Sequence, residues 1–366
     1  MFMKQIIETL IERAAAKDRK IVAGFDGFID TIAKVLRHSG GEGEGPRYFE
    51  TIEEFGAYIA GHAHKSGSIE LDIIERRMGG NMPLFARAIA TLMGADHSGG
   101  LTCVGMFSDA AGAPEPLFNS LPGKHISYAP AATATALEFT DGKIFLFPRF
   151  VLNEPPRIEA VSELVRGADL IAFCNWGELS FASALWRSFF EAAAAEKQSR
   201  SGGSFGETSS GPCFFFDLAD FSRRTDREIE EVLLLMRDFS SLGHTILSLN
   251  RNEALLLEER ILLQKGTGMD ISAAALQKRY GIEDVIVHSH NDVHLCAGGI
   301  LYRVAVTPIT APKISTGAGD HFNAAFAHAF LLGLAPEEQL RFAAFYASAY
   351  ITQGTSPCME DLRLPQ

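Results

Sequence analysis

Apolar residues along this chain fall into short continuous runs and into longer stretches with helical spacing. Residues 20–25 form a short apolar run that includes Gly24 and leads into an acidic turn, which predicts a buried strand. Residues 85–93 carry apolar side chains three and four positions apart, which predicts a helix closed by Gly94. Residues 101–105 form the next apolar run. This order of strand, helix and strand indicates parallel βαβ units.

The same order returns in the second half of the chain. Apolar runs at 170–174, 213–217, 245–249 and 284–288 predict four more strands, with helical stretches between most of them. We therefore expect one mostly parallel sheet with helices on both faces.

Residues 133–147 depart from this order. Two runs of alternating apolar and polar residues meet there at Asp141-Gly142, a dipeptide typical of tight hairpin turns. A hairpin is antiparallel, so we predict that this segment lies outside the parallel sheet and forms a lid.

Composition and charge restrict the ligands of the protein. Hydrophobic residues make up 47% of the 366 residues and charged residues 21%, as in an ordinary globular protein. The formal net charge of -12 argues against a surface that binds nucleic acid or an anionic membrane. We therefore expect neither partner, and an anionic ligand would need a local positive site.

Cysteine usage and the N-terminal segment indicate the compartment. The five cysteines are odd in number and form no CxxC pair, which predicts neither a zinc site nor a disulfide framework. The first segment carries Glu8, Glu12 and Arg13 among its apolar residues, unlike the core of a signal peptide. We therefore expect a soluble, cytoplasmic protein.

The most informative segment for chemistry is residues 313–334, K-I-S-T-G-A-G-D-H-F-N-A-A-F-A-H-A-F-L-L-G-L, a glycine loop that opens a helix. Free amides at a helix N-terminus bind anions, and glycines let a phosphate approach closely. Residues 317–319 supply such amides, and Asp320 in the first turn can accept the proton of an attacking hydroxyl. Phe322 stands where a dinucleotide motif has its third glycine, and no lysine follows as in a P-loop. The segment predicts a phosphoryl-transfer site.

This loop and four other segments resemble the ribokinase-like carbohydrate kinases, also called the PfkB family. S-T-G-A-G-D-H-F-N-A-A-F at 315–326 matches the family's C-terminal signature, and R-M-G-G-N-M-P-L-F-A-R-A at 77–88 resembles its N-terminal signature. N-R-N-E at 250–253 resembles its N-x-x-E element, and G-F-D-G-F-I-D at 24–30 resembles the end of its first strand. Residues 135–145 are similar to its lid strands.

The resemblance implies a sugar kinase that moves a phosphoryl group from ATP to a hydroxymethyl oxygen. Asp320 would take the hydroxyl proton while backbone amides stabilise charge on the phosphoryl group. Asn250 and Glu253 would place Mg²⁺ and the ATP phosphates, Glu253 as an indirect metal partner. The amides of the predicted anion hole belong to Gly317, Ala318 and Gly319.

The resemblance also implies the remaining contacts. Thr316 and Ala347 would contact the nucleotide, Ala347 within an alanine- and aromatic-rich helix at 342–351. Asp26 fits either a sugar ligand or a turn residue, and Asn81 fits both a substrate ligand and the N-cap of the following helix. The other implied substrate residues are Asp30, Gly79 and Gly80.

The chain departs from the family just before the glycine loop. Relatives often carry an acid there that is associated with monovalent-cation activation, whereas this chain reads Lys313-Ile314-Ser315. This departure makes potassium dependence doubtful.

Two other groups of residues have side chains that could bind a metal or act in catalysis, but their patterns favour structural interpretations. His288, His290 and His294 alternate about an Asn-Asp turn without carboxylate or cysteine partners at ligand spacing, which predicts a solvated hairpin. Acidic and basic residues after the strand at 213–217 are predicted to form a solvated turn; they are Asp217, Asp220, Arg223 and Arg224.

The expected fold is α/β, a ribokinase-like central, mostly parallel sheet flanked by helices, with a small antiparallel β lid. Residues 1–366 would form a single kinase domain, with the lid made by residues near 30–50 and 126–150. A small-molecule sugar would bind between lid and sheet, and lids of two subunits would pair in a homodimer. The alternatives left open are a nucleoside kinase of the same fold and a catalytically silent sugar-binding regulatory protein.

Overall fold

The computed structural model describes most of the chain, namely residues 2–15, 18–41, 44–94, 98–148, 156, 158, 161–201, 211–263, 266, 268–314 and 316–363. The helices are α1 (Phe2–Ala14), α2 (Ile52–Gly61), α3 (Asn81–Met93), α4 (Val161–Val165), α5 (Ala182–Ser201), α6 (Asp226–Ser240), α7 (Arg251–Arg260), α8 (Met269–Tyr280), α9 (Ala318–Leu331) and α10 (Pro336–Gln353). The strands are β1 (Ile21–Gly24), β2 (Phe28–His38), β3 (Arg47–Tyr48), β4 (Leu71–Gly79), β5 (Leu101–Ser108), β6 (Lys124–Pro130), β7 (Ala132–Phe139), β8 (Gly142–Leu146), β9 (Leu170–Phe173), β10 (Cys213–Asp217), β11 (His244–Asn250), β12 (Asp284–His288), β13 (Asp292–Ala297) and β14 (Ile300–Ala305).

Nine strands form the main sheet, in the order β14-β13-β12-β11-β10-β9-β1-β5-β6. The strands from β12 to β6 in this order run parallel, and β13 and β14 add antiparallel pairs at one edge. Every residue of β1, β9 and β10 is buried, as parallel strands covered on both faces require. The prediction of a mostly parallel central sheet is confirmed.

Alternate residues of the main-sheet strands pack against opposite layers of helices. In β1, Ile21 and Ala23 belong to a core shared with α1, α3, α9 and α10, whereas Val22 belongs to a core shared with α5 to α8. Aromatic rings thicken the second core, where Phe173 of β9 stacks on Phe216 of β10 with ring centroids 4.9 Å apart. Helices therefore cover both faces of the sheet, as the sequence predicts.

A second, smaller sheet contains five strands, β3-β2-β7-β8 with β4 also paired to β2. The pair β2 and β7 is parallel, and the pairs β2 with β3, β2 with β4 and β7 with β8 are antiparallel. The hairpin predicted around Asp141-Gly142 is the β7–β8 pair. Helix α2 covers this sheet through a small core of its own: Ala33, Val35, Phe49, Phe55 and Leu137.

The predicted bounds of the lid need two corrections. Residues 126–130 lie in β6 at the edge of the main sheet, so the second sheet resumes only at β7. Strand β4 is absent from the prediction because L-D-I-I-E-R-R-M-G does not alternate, and Ile73 and Ile74 are both exposed. Residues 42, 43, 149 and 150 of the predicted lid lie outside the described residues.

Helix α3 begins beside the end of β1. Gly80 precedes the helix with φ 99°, and the amides of Asn81 and Met82 donate to the two carboxylate oxygens of Asp26, each at 2.8 Å. The side chain of Asn175 donates to the same carboxylate at 2.8 Å. Asp26 therefore caps α3 from a distant part of the chain, and the prediction that Asn81 is the N-cap is wrong.

Replacing Asp26 by alanine should destabilise the fold strongly. The change leaves three buried donors without an acceptor, and each costs about 1–3 kcal/mol, so we expect the free energy of unfolding to fall by at least ~3 kcal/mol in urea titrations. Asp30→Ala is the control, because no described donor binds that carboxylate, and its loss should stay below about 1 kcal/mol. Equal losses in both variants would contradict this role of Asp26.

Candidate active site

The glycine loop opens α9 as predicted. Gly317 precedes the helix in the left-handed region with φ 85°, where glycine carries no steric cost. A Cβ at Gly317 would lie 2.9 Å from Leu84 and 3.1 Å from the hydroxyl of Tyr350, so the space also requires glycine. Ala318, Gly319 and Asp320 form the first turn, where backbone amides lack intrahelical acceptors.

Two aromatic side chains, one on α10 and one on α9, form hydrogen bonds to the backbone of the glycine loop. The Tyr350 hydroxyl donates to the carbonyl of Thr316 at 2.9 Å, and Nδ1 of His321 lies 2.7 Å from the carbonyl of Gly317. Burial lowers the pKa of His321 to about 4, so the ring is neutral at pH 7 and Nδ1 carries the proton it donates. Nε2 then accepts from the Ser356 hydroxyl at 2.8 Å. Side chains thus fix the carbonyls of both Thr316 and Gly317.

Two cavities meet at this loop, and we name them after the two ligands that the sequence predicts. The acceptor-side cavity, of about 550 Å³, is lined by Asp320, Gly317 and Thr316 and by groups from the second sheet and the strand ends. The nucleotide-side cavity, of about 780 Å³, is lined by Ala318 and Gly319. Asn250 lines both cavities. Two ligands could therefore meet at the start of α9.

Asp30 lies in the wall of the acceptor-side cavity. Its side chain is buried, and burial raises the pKa of its carboxyl to about 6 against the opposing charge of Arg77. No described donor binds this carboxylate, whereas Asp26 is fully buried with three donors and does not line the cavity. These contacts favour a structural role for Asp26, and its alternative role as a sugar ligand stays a prediction.

The glycine pair of the N-terminal signature makes room for these two carboxylates. A Cβ at Gly79 would collide with the carboxylate of Asp30, and a Cβ at Gly80 would lie 2.8 Å from Asp26. Asn81 follows with its side-chain amide 3.1 Å from Oδ1 of Asp320, to which it donates. The signature thereby connects the sheet edge to the glycine loop.

Asp320 lies in a cluster of buried carboxylates. Burial and then the charges of Asp217 and Asp26 raise the pKa of Asp320 well above its usual range, against the hydrogen bond from Asn81. Burial and then Asp217 likewise raise the pKa of Glu253 well above its usual range. Such a cluster of acids favours a positively charged ligand beside it.

The N-x-x-E element is a capping box at the start of α7. The Asn250 side chain accepts from the amide of Glu253 at 3.0 Å, and Glu253 accepts from the amide of Asn250 at 2.9 Å. Glu253 lines the acceptor-side cavity next to Asp320. Within the described ranges, no three His, Cys, Asp or Glu side chains converge to hold a metal directly.

The nucleotide-side cavity has a wall of small residues. Ala347 lines it together with Ala344 and Ser348 of α10, and residues 306–309 line it too. His288 also lines it and packs on Phe322 with ring centroids 5.0 Å apart. Small side chains in such a wall leave space for a flat ring.

The hairpin that carries three histidines is solvated only at its turn, where His290 is exposed. β12 and β13 are buried along most of their length, burial lowers the pKa of His288 to about 4, and His294 is buried beside Asp292 at 3.1 Å. The hairpin prediction is right in topology and wrong in exposure, because β12 lies inside the main sheet and both strands are covered by helices.

The predicted solvated turn after β10 is also wrong in part. Asp217 is buried and accepts from the amide of Ala219 and from Asn323, at 2.9 and 2.8 Å. Arg224 packs over Trp176, with its guanidinium carbon 4.6 Å from the ring centroid. Two further members of that turn, Asp220 and Arg223, line the acceptor-side cavity.

Sequence reasoning missed one contact of the glycine loop and one residue of the acceptor-side cavity. Lys143 of β8 donates to the Thr316 hydroxyl at 3.1 Å and pairs with Glu138 at 2.7 Å, so the second sheet touches the glycine loop. Glu178 lines the acceptor-side cavity, where burial raises the pKa of its carboxyl to about 7, and Asn175 donates to it at 3.3 Å. Glu178 stands in no motif, and the lid segment at 135–145 does not indicate that its Lys143 reaches Thr316.

Solved structures of other proteins share the fold of this chain. The structure of Arabidopsis thaliana ribokinase complexed with ribose and ATP superposes with a TM-score of 0.60 at 18% identity, covering 94% of this chain and 98% of that one. Adenosine kinase from Sinorhizobium meliloti gives 0.61 at 18% identity, with coverages of 92% and 94%. These likenesses define the ribokinase-like fold, which the sequence predicted.

The relatives by sequence are sugar kinases. The family model described as prokaryotic ketohexokinase matches residues 5–365. A ketohexokinase from Haloferax volcanii is 24% identical over 359 residues, 94% of this chain and 90% of that protein. With the glycine loop between two cavities, these matches define an ATP-dependent sugar kinase of the PfkB type. The chain belongs to the prokaryotic ketohexokinase family.

No helix in the described part of the chain combines the length and apolar character needed to cross a bilayer.

The buried carboxylate cluster should make stability fall as pH rises. Burial raises the pKa of Asp217 to about 6 from an unfolded value near ~3.9. The stability that Asp217 contributes through this shift is therefore fully present below ~3.9 and is lost as pH rises through 6. Asp217→Asn removes this titration. We expect its unfolding free energy relative to wild type to improve by about 1 kcal/mol between pH 5 and 8, measured by urea titration.

Asp226→Asn is the matched control, because its carboxylate is exposed and paired with Arg260. It should give no comparable pH-dependent gain. A constant difference between Asp217→Asn and wild type across this pH range would exclude a raised pKa at Asp217.

Proposed function

We propose that this protein transfers the terminal phosphoryl group of ATP to a hydroxymethyl oxygen of a ketohexose, with Asp320 as general base. One observation carries the proposal: Asp320 and the amides of Gly317, Ala318 and Gly319 lie where the two cavities meet. A hydroxyl in the acceptor-side cavity would lose its proton to Asp320, while the loop amides stabilise charge on the transferred group.

The nucleotide side of the proposal rests on three features. Ala347 and its small neighbours would accept the adenine ring, and Thr316 and Asn250 would contact phosphates near the loop. Mg²⁺ would neutralise the phosphate charge when bound. The buried acids near Asp320 suit a dication, and Glu253 would act on it through water because its two oxygens already accept from Asn250.

The acceptor side is assigned to a ketohexose because the curated relative is a ketohexokinase. Asp30 is a buried carboxylate without a described donor, which suits a ligand with several hydroxyls. Gly79, Gly80 and Asn81 would border the same ligand, and Phe145 and Phe147 give the cavity an apolar side.

Further parts of the proposal concern organisation. The chain would act as one kinase domain with the second sheet as its lid, in the cytoplasm. Exposed Ile73 and Ile74 on β4 support pairing of two lids in a homodimer, because a monomer would leave both in water. We also expect no requirement for potassium, given Lys313 in place of the acid found in relatives.

Asp320→Asn tests the role of the base. The variant keeps an oxygen for the Asn81 amide, so it should fold, bind ATP with similar affinity and lose about 10²–10⁴-fold in kcat. A coupled ADP-release assay with fructose measures this loss. A kcat within threefold of wild type would remove Asp320 from the proposed role.

Asp30→Asn tests acceptor binding. Loss of a charged hydrogen bond costs about 1.5–3 kcal/mol, so KM for the ketohexose should rise roughly 10- to 100-fold while KM for ATP changes little. Steady-state kinetics with each substrate varied in turn measure the split. An unchanged acceptor KM would place the sugar elsewhere.

A substrate panel separates the alternatives. Fructose, other ketohexoses, ribose, sugar phosphates and adenosine are compared by kcat/KM under the same ATP and Mg²⁺ concentrations. Preference for adenosine would favour a nucleoside kinase. Binding of a sugar without turnover of any acceptor would favour a silent regulatory protein.

A further inference from the structure

A third cavity, of about 600 Å³, adjoins the acceptor-side cavity. It lies between the C-terminal part of β4, helix α3 and residues 354–356, and it shares Asp30, Leu84 and Thr316 with its neighbour. The mechanism above uses none of its remaining lining residues. Three of these are arginines: Arg76, Arg77 and Arg87.

Two of the three arginines have no acid partner. Arg77 has Glu75 at 3.7 Å and the charge of Asp30 beside it, and both carboxylates line the cavity, whereas the closest described polar contact of Arg87 is the Ser120 hydroxyl at 3.5 Å. Within the described residues, neither Arg76 nor Arg87 has a carboxylate at ion-pair distance. Such a site is notable in a chain whose formal net charge is -12, where acids outnumber bases.

Partial burial makes the unmatched charge of Arg87 informative. Arg87 is half-buried on α3 and Arg77 keeps only 27% of its side-chain surface exposed, whereas Arg76 is exposed at the rim of the cavity's lining. A guanidinium that loses water without gaining a carboxylate leaves strong donors unused, and its planar fork fits phosphate oxygens. The hydroxyls of Ser120, Ser356 and Thr355 lie around the same cavity and can donate to an anion.

We propose that this third cavity binds a phosphate-class anion, either inorganic phosphate or a phosphate monoester, through Arg76, Arg77 and Arg87. This site is distinct from the amides of Gly317 to Gly319, which act on the ATP phosphate. The proposal does not depend on the identity of the sugar acceptor.

The cavity also touches the groups that hold the glycine loop. Tyr350 and His321 line it, and they bind the carbonyls of Thr316 and Gly317. Burial raises the pKa of Tyr350 and lowers that of His321, and the positive charge of Arg87 opposes the first shift and adds to the second. An anion bound to Arg87 therefore changes the electrostatic surroundings of the glycine loop from the side of the third cavity.

The test is calorimetric titration of inorganic phosphate into the protein saturated with a non-hydrolysable ATP analogue and Mg²⁺. The analogue fills the loop amides, so phosphate binding there does not contribute. We expect one phosphate per chain, and at least tenfold weaker binding to the double variant Arg76→Gln with Arg87→Gln. A parallel titration with fructose 1-phosphate distinguishes a monoester ligand from the free ion.

Two controls separate charge from folding. Arg227→Gln removes an equal charge from an arginine whose side chain is 87% exposed, and it should bind phosphate like wild type. Arg87→Lys keeps the charge but loses the planar fork, so it should bind phosphate more weakly than wild type and more tightly than the double variant. Absence of phosphate and monoester binding to the wild type, or equal binding to the double variant, overturns the proposal whatever the kinase assay shows.

Discussion

The carboxylate of Asp26 joins the parts of the molecule on which the active site depends. It receives the first amides of α3 and the side chain of Asn175, so the end of β1, the start of α3 and the wall beside Glu178 share one buried acceptor. Because α3 also carries Asn81, whose side chain reaches Asp320, this one interaction positions the loop of the C-terminal signature against the N-terminal half of the chain. Signatures more than two hundred positions apart thereby act as one site.

This arrangement places several acidic side chains close together in the interior, away from water. Asp217, Glu253 and Asp320 each have a pKa raised first by burial. Backbone and side-chain amides satisfy part of their hydrogen-bonding capacity, but they carry no full positive charge. Groups that bind charged ligands are commonly arranged in this way, since a ligand supplies the missing charge when it arrives.

The sequence predicted what local patterns encode. Continuous apolar runs gave the parallel strands, Asp141-Gly142 gave the β7–β8 hairpin, and the glycine loop gave the start of α9. Motif spacing also brought Asn250 and Glu253 to the same cavity as Asp320. These features depend on neighbours within a few positions, which is why they can be read without a structure.

Features that depend on distant neighbours could not be read in this way. Nothing near Asn81 indicates that Asp26 replaces it as the cap, and nothing near Lys143 indicates that it reaches Thr316. Strand β4 was not predicted because its middle is exposed and its apolar and polar residues do not alternate. The hairpin of β12 and β13 was predicted to be solvated because polar residues are usually exposed, whereas the main sheet buries His294 and half-buries His288.

Gly79 and Gly80 have a consequence for anyone who redesigns the acceptor pocket. Each glycine leaves the space that one aspartate occupies, so the four positions form two interlocked pairs. A larger residue at Gly79 is compatible with the backbone only if Asp30 becomes smaller, and the backbone at Gly80 restricts that position further. With the acceptor bound as proposed, altered substrate selectivity is therefore more accessible through Glu178 and Arg223, which line the same cavity, than through the signature itself.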